Sequence, residues 1–231
     1  MQKHDLRMTP RAFCILLSLF AVSTAANAQG YFCDRQGARL EYVRKVPKTG
    51  ETRWRHILKV SDVIEDGSAT AVTTVSTFLK ANGKPYYKTD VTERVWVDAD
   101  FNATADMEMA MTSYIKARAG LSSITESTPS VLPSDMQPGD TLPQISGKAK
   151  VGPLTYTFRI WDRKVLRRET ISLPAGTFDC VVLEEHKLES GPGHNRDVIN
   201  HTWYSKGVGF VRHDTYIKGV LDTSEILQSI Q

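Results

Sequence analysis

The sequence predicts a mainly β fold: one large antiparallel sheet, curved into a half-barrel or open barrel-like shape, with one helix near residues 105–118. Three observations predict it. Apolar and polar residues alternate with period two along most of the chain, the pattern of strands buried on one face. Turn signals built on Gly, Pro, Asn and Asp separate these runs at short intervals. A single stretch, residues 103–118, shows helical spacing instead.

The elements follow in order. Leu40 and Tyr42 alternate with Arg39 and Glu41, and Trp54, His56, Leu58 and Val60 alternate with Arg53, Arg55 and Lys59. Pro47 to Gly50 makes the turn between these runs, and Asp66-Gly67 is a hairpin signal. Thr70 to Leu79 is rich in Thr and Val, which suits a strand. After the Asn82-Gly83 turn, Tyr86 to Val91 and Arg94 to Val97 complete a meander of about five strands. Met107, Met111, Tyr114 and Ile115 then mark one face of a helix, and Gly120 can end it. Met107, Met109 and Met111 also fit one face of a strand; the helix is the preferred reading. Residues 121–147, with Pro129, Pro133, Pro138 and Pro143, read as a long connection between two strand-rich halves. Beyond it come runs at Leu154–Ile160, Val165–Leu173, Cys180–Leu188, Val198–Tyr204, Phe210–Ile217 and Thr223–Ile230. Pro174-Ala175-Gly176, Lys206-Gly207 and Lys218-Gly219 are turns among them.

Composition narrows the class. Of 231 residues, 41% are hydrophobic and 24% charged, which is ordinary for a globular chain and excludes wholesale disorder or a polytopic membrane protein. Residues 1–28 read as an export signal: Lys3, Arg7 and Arg11 precede an apolar run from Ala12 to Val22, and Ala26-Asn27-Ala28 supplies the small residues of a cleavage site. That run is shorter than the ~20 residues a spanning helix needs. Cleavage after Ala28 leaves residues 29–231 as one β-rich globular domain in the periplasm or outside the cell. It removes three of 29 basic and one of 26 acidic residues, leaving 26 and 25, a net charge of +1. A nearly neutral chain without basic clusters argues against nucleic acid.

Cys33 and Cys180 remain after cleavage. In an oxidising compartment two such cysteines commonly pair, the alternative being two separate thiols, one buried.

The segment Thr170-Ile171-Ser172-Leu173-Pro174-Ala175-Gly176-Thr177-Phe178-Asp179-Cys180 is the most recognisable piece. Trp203-Tyr204-Ser205-Lys206-Gly207-Val208-Gly209-Phe210-Val211 follows it, and Pro138-Gly139-Asp140-Thr141-Leu142-Pro143 precedes it. Together these resemble the TapB-like exported bacterial domain family of unknown function, over residues 36–230. Ser205 stands where that pattern has Ala. The resemblance implies an exported, β-rich, non-enzymatic protein and brings no catalytic residues.

Motif searches for nucleophile elbows, zinc-protease helices, phosphate loops and C-x-x-C pairs find none. One constellation stands out. His186, His201 and His213 fall on three successive predicted strands, with Glu184 on the face of His186, and same-face imidazoles suit zinc or copper. A register slip of one residue would send one of them to the other face. No cofactor is expected. The leading function is a binding or carrier module of the cell envelope, its apolar or lipid-like ligand lined by Phe78, Trp96, Met107 and Met111. Those residues serve equally as core filler. The alternative is a structural or assembly protein that meets an envelope partner through its surface or an edge strand. An enzyme ranks third and needs polar groups converging in a cleft.

Overall fold

Strand formation follows the alternation, and the turns fall where Gly and Pro put them. The computed structural model describes residues 29–231 apart from Ser122, with backbone alone for Ile124 and His194. The segment read as an export signal lies outside the described residues. The strands of the first half are β1 (Arg39–Lys45), β2 (Thr52–Asp66), β3 (Ala69–Leu79), β4 (Val91–Asp98) and β5 (Ala103–Ala105). Helix α1 (Met107–Ala119) comes next, followed by β6 (Ile124–Ser127), β7 (Ser130–Leu132), β8 (Thr141–Leu142) and β9 (Ile145–Val151). The chain ends with β10 (Leu154–Leu173), β11 (Gly176–Gly191), β12 (His194–Ser205), β13 (Gly209–Ile217) and β14 (Val220–Ile230).

All fourteen strands belong to one antiparallel sheet, in the order β6-β9-β10-β11-β12-β13-β14-β1-β2-β3-β4-β5-β7, with β8 paired to β10. The sheet is not closed into a barrel: its end strands β6 and β7 pair with β9 and β5, not with each other. Helix α1 packs on β4 and touches β6 and β9, so it bridges the two ends of the curved sheet. Its start is fixed by Asp106, whose Oδ1 accepts the Met109 N–H at 2.9 Å, and its end by Gly120 in the left-handed conformation. The face of the sheet turned toward α1 is the inner face. There Met111 lies over Gly147, where any Cβ would overlap the Phe158 ring and come within 2.9 Å of the Met111 sulfur.

The structure departs from the sequence reading in three places. Residues 80–90 are a loop, not a strand, because Pro85 has no N–H for a ladder. Lys88 ties that loop to α1, its N–H bonding Ala117 O at 2.7 Å and its Nζ bonding Ala119 O at 2.6 Å. The 121–147 connection holds three short strands and the start of β9. As expected, the two strand-rich halves form one sheet, joined where β1 pairs with β14 (Leu40 with Ile230, Arg44 with Glu225). Finally, Cys33 and Cys180 are both buried in one apolar cluster, yet each is a free thiol, so the expected disulfide is absent.

That cluster holds Leu40, Tyr42, Val60, Val72, Val182, Val211 and Leu227; a second gathers Tyr31, Met136, Val165, Val181 and Leu183. Each such side chain contributes about 1.5–3 kcal/mol on burial.

Candidate functional site

The middle of the inner face is polar. Cross-strand pairing lines up Glu185 with Asn200, Asn200 with Thr215, Thr215 with Thr223, and Thr202 with His213. It continues from His213 to Glu225, from Glu225 to Arg44, from Tyr42 to His56 and from Thr74 to Glu93. A belt of hydrogen-bonding side chains thus runs across the strands from β11 to β4. Buried polar groups are costly unless bonded, and most of this belt is bonded.

Its centre is Glu225. The Arg44 guanidinium donates to Glu225 Oε2 at 3.2 Å, to Thr223 Oγ1 at 2.7 and 2.9 Å, and to Thr215 Oγ1 at 2.6 Å. It also lies 4.9 Å from the Trp54 ring. Trp54 Nε1 donates to Glu225 Oε1 at 3.5 Å, and His56 Nδ1 meets the same oxygen at 3.0 Å. On the far side of the ring, His56 Nε2 lies 2.9 Å from Ser76 Oγ. His56, Ser76 and Glu225 are 6%, 4% and 5% exposed. Burial pushes the Glu225 carboxyl up, but the His56 hydrogen bond and charge, Arg44 and His213 outweigh it and hold it at about 2. Glu225 is therefore ionised, so His56 Nδ1 donates to it, and the other ring nitrogen, Nε2, faces the Ser76 hydroxyl.

Four flat rings stack in a row here. Phe210 lies 4.4 Å from Tyr42, Tyr42 5.2 Å from His56, and His56 4.4 Å from Phe78, all within 23° of parallel. Phe210 reaches this face because the β12–β13 register shifts beside it, between Trp203 and Tyr204. The 80–90 loop covers the other end: Tyr87 meets Phe78 edge-on at 5.0 Å, Tyr86 meets Trp54 at 5.4 Å, and Tyr114 of α1 backs Tyr87 at 5.6 Å.

Two titratable groups flank the centre. His213 bonds Thr202 Oγ1 through Nδ1 at 2.9 Å; burial, then Arg44, lower it to about 4. Glu93, two strands from His56, forms no hydrogen bond or ion pair with the described residues; burial raises it and the nearby His56 partly opposes that. A second buried pair extends the belt, with Arg163 Nε donating to Glu185 Oε1 at 2.7 Å.

The residues singled out from sequence are dispersed. His201 pairs with Asp214 and not with His213, a slip of one position. His186 and His201 accordingly share a face with Glu184, which His201 Nε2 meets at 2.8 Å, while His213 lies on the opposite, inner face. Among the described residues no three His, Cys, Asp or Glu side chains converge as a metal site. Phe78 joins the ring stack, but Trp96 alternates with the buried Val95 and Val97 and lies on the other face. Met111 packs against the Gly147 and Phe158 positions, and Met107 begins α1. An open cleft of about 260 Å³ lies elsewhere, between Gln29, Cys33, Arg35, Leu40, Val208 and Ile230. It is smaller than the ~300–1,000 Å³ of ordinary ligand sites. Sequence reasoning missed Arg44, His56, Ser76 and Glu225, whose one signal is a polar residue at a core-facing position of an alternating run.

Comparison with known proteins places the fold. The DUF3108-like family profile matches residues 36–227. No protein of curated function matches the sequence. The crystal structure of a proposed exported protein with a YmcC-like fold from Bacteroides fragilis is similar at 19% identity and a TM-score of 0.71, covering 88% of this chain and 99% of that one. That of a proposed lipoprotein from Parabacteroides distasonis is similar at 18% identity and a TM-score of 0.71, covering 89% and 100%. Likeness at this identity is one of fold alone. The segments on which the TapB-like resemblance rested all lie inside the DUF3108-like match, and the DUF3108-like family is the assignment that the comparison supports. The chain belongs to the DUF3108-like family.

Proposed function

We propose that this member of the DUF3108-like family is an exported binding module that holds a small amphiphilic molecule against the inner face of its sheet. One observation carries the reading. Glu93 is a half-buried carboxylate with no hydrogen bond or ion pair among the described residues, on a belt most of whose members are bonded. A group in that state supplies a hydrogen bond or charge to something from outside the chain. The aromatic row of Phe210, Tyr42, His56 and Phe78 supplies the flat apolar wall. The ligand is therefore amphiphilic, and not simply lipid-like, and it enters by displacement of the Tyr86-Tyr87 loop.

Export rests on the basic and apolar pattern of residues 1–28 and fits the descriptions of the two similar structures. Among the described residues no helix is long and apolar enough to cross a membrane. Cleavage after Ala28 agrees with the packing, since Gly30 is already buried and its carbonyl accepts the Gly207 N–H at 2.8 Å. An edge-strand partner has less support: the end strands are four and three residues long and sit at either end of the helix-bridged opening.

Native mass spectrometry of the protein from its own envelope fraction tests the reading. A reproducible bound mass, lost on unfolding and lost in Glu93→Gln, is the expected result. A bare polypeptide from both proteins overturns it.

A further inference from the structure

We propose that Ser76, His56 and Glu225 form a nucleophilic relay that cleaves an ester of a small apolar acid held on the inner face. The inference rests on the reading that this face takes up a ligand, and adds chemistry to it. The geometry carries it. Ser76 Oγ lies 2.9 Å from His56 Nε2, and His56 Nδ1 lies 3.0 Å from Glu225 Oε1. The acid sits on Nδ1 and the hydroxyl on Nε2, the arrangement by which an acid–imidazole pair activates serine. The acid is itself anchored, by Arg44 on one oxygen and Trp54 on the other. The ring between them is clamped by Tyr42 and Phe78, so its orientation is fixed before any substrate arrives.

The chemistry balances within these groups and water. Ser76 Oγ forms a bond to the ester carbonyl carbon while its proton passes to His56 Nε2. The carbon–alkoxide bond breaks, and His56 returns that proton to the departing alkoxide. Water then attacks the acyl-serine by the same route, releasing the acid and restoring the hydroxyl. Glu225 stays ionised throughout and stabilises the charged imidazole. The acyl group is apolar because Ser76 is flanked by Phe78 and faces Val91 across β4. Ser76 is enclosed in the present arrangement, so substrate reaches it once Tyr86 and Tyr87 swing clear. Their anchor to α1 is the pair of Lys88 hydrogen bonds to Ala117 and Ala119.

The test is labelling of the full mature chain with an alkyl fluorophosphonate, read by intact mass and peptide mapping. One adduct on Ser76 is expected, absent in Ser76→Ala and slowed at least about 100-fold in His56→Gln, the scale of lost base catalysis. Tyr87→Ala, which removes the cover and leaves the relay intact, labels faster. Far-UV circular dichroism checks that each variant is folded. No adduct on the folded wild type and the folded Tyr87→Ala variant overturns the inference, as does an adduct on another residue or an unchanged rate in His56→Gln. A bound ligand seen in native spectra without any adduct overturns the relay and leaves the binding reading standing.

Discussion

Replacing Glu225 by Gln asks how dry the centre of the belt is. The carboxylate receives Arg44, His56 and Trp54, and the Arg44 and Glu225 side chains are 11% and 6% exposed. Removing one member of a buried ion pair costs about 3–5 kcal/mol, because the other charge stays buried without a counterion. Two features soften that here. Gln keeps the shape and still accepts a hydrogen bond, and Arg44 keeps Thr215, Thr223 and the Trp54 ring. The expected loss is therefore about 2–3 kcal/mol. Urea unfolding at pH 7, followed by far-UV circular dichroism, reads it directly. With a slope of roughly 2–3 kcal/mol per molar for a chain of this size, the midpoint falls by about 1 M. A midpoint within about 0.2 M of wild type, at unchanged slope, refutes the reasoning: water would then already solvate Arg44, and the belt would be a wet groove.

Four further outcomes follow from the same geometry. Acid destabilises the fold in two stages: His213, held at about 4, binds its proton more weakly folded than unfolded, so stability falls from about pH 6.5 toward 4. Glu225, held at about 2 against about 4.3 unfolded, contributes roughly 3 kcal/mol above pH 4.3 that is lost as pH falls through 2; a urea midpoint constant from pH 7 to 4 contradicts the first stage. Glu93→Gln raises the urea midpoint of the ligand-free protein at pH 7, since burial raises this carboxyl and so opposes its charged form, and a destabilised variant would show that Glu93 has a partner inside the chain. Both thiols of the mature protein resist a disulfide reagent in the native state and both react in denaturant, Cys180 being pushed up to about 12 by burial; a count of zero would show that they pair. Gly30→Ala places a methyl on the Phe101 carbonyl and lowers stability by about 1–3 kcal/mol, read as a thermal midpoint.

The strands were legible because alternation is a local property. Thr70 to Leu79 reads as β3 from its own residues, and Asp106 and Gly120 bracket α1 by their side-chain chemistry alone. The site was not legible, because it is made by pairing. Arg44 and Glu225 stand 181 residues apart and meet only because β1 returns to pair with β14. The histidine trio failed for a related reason. Lys206-Gly207 locates the turn correctly, but the register shift between Trp203 and Tyr204 moves His213 opposite Thr202 and not His201. A single bulge separates the residues that looked adjacent and brings Phe210 onto the face of Tyr42.

That the belt exists at all constrains its meaning. A sheet interior that served stability alone would do as well with hydrocarbon: replacing a buried ion pair by well-packed apolar groups is often neutral or stabilising by about 1–4 kcal/mol. This chain has the means for such an interior, since Leu40, Val60, Val72 and Leu227 fill the same face a few residues away. Yet at the centre it places Arg44, His56, Ser76 and Glu225 within one continuous set of hydrogen bonds, and leaves Glu93 beside them without a bond. Fixing the register of β1 against β14 would account for the Arg44–Glu225 pair. It would not account for Glu93, which forms no hydrogen bond or ion pair among the described residues, nor for a Ser76 hydroxyl directed at the one ring nitrogen that Glu225 leaves free. Those two side chains are what turn the belt from a structural seam into a site.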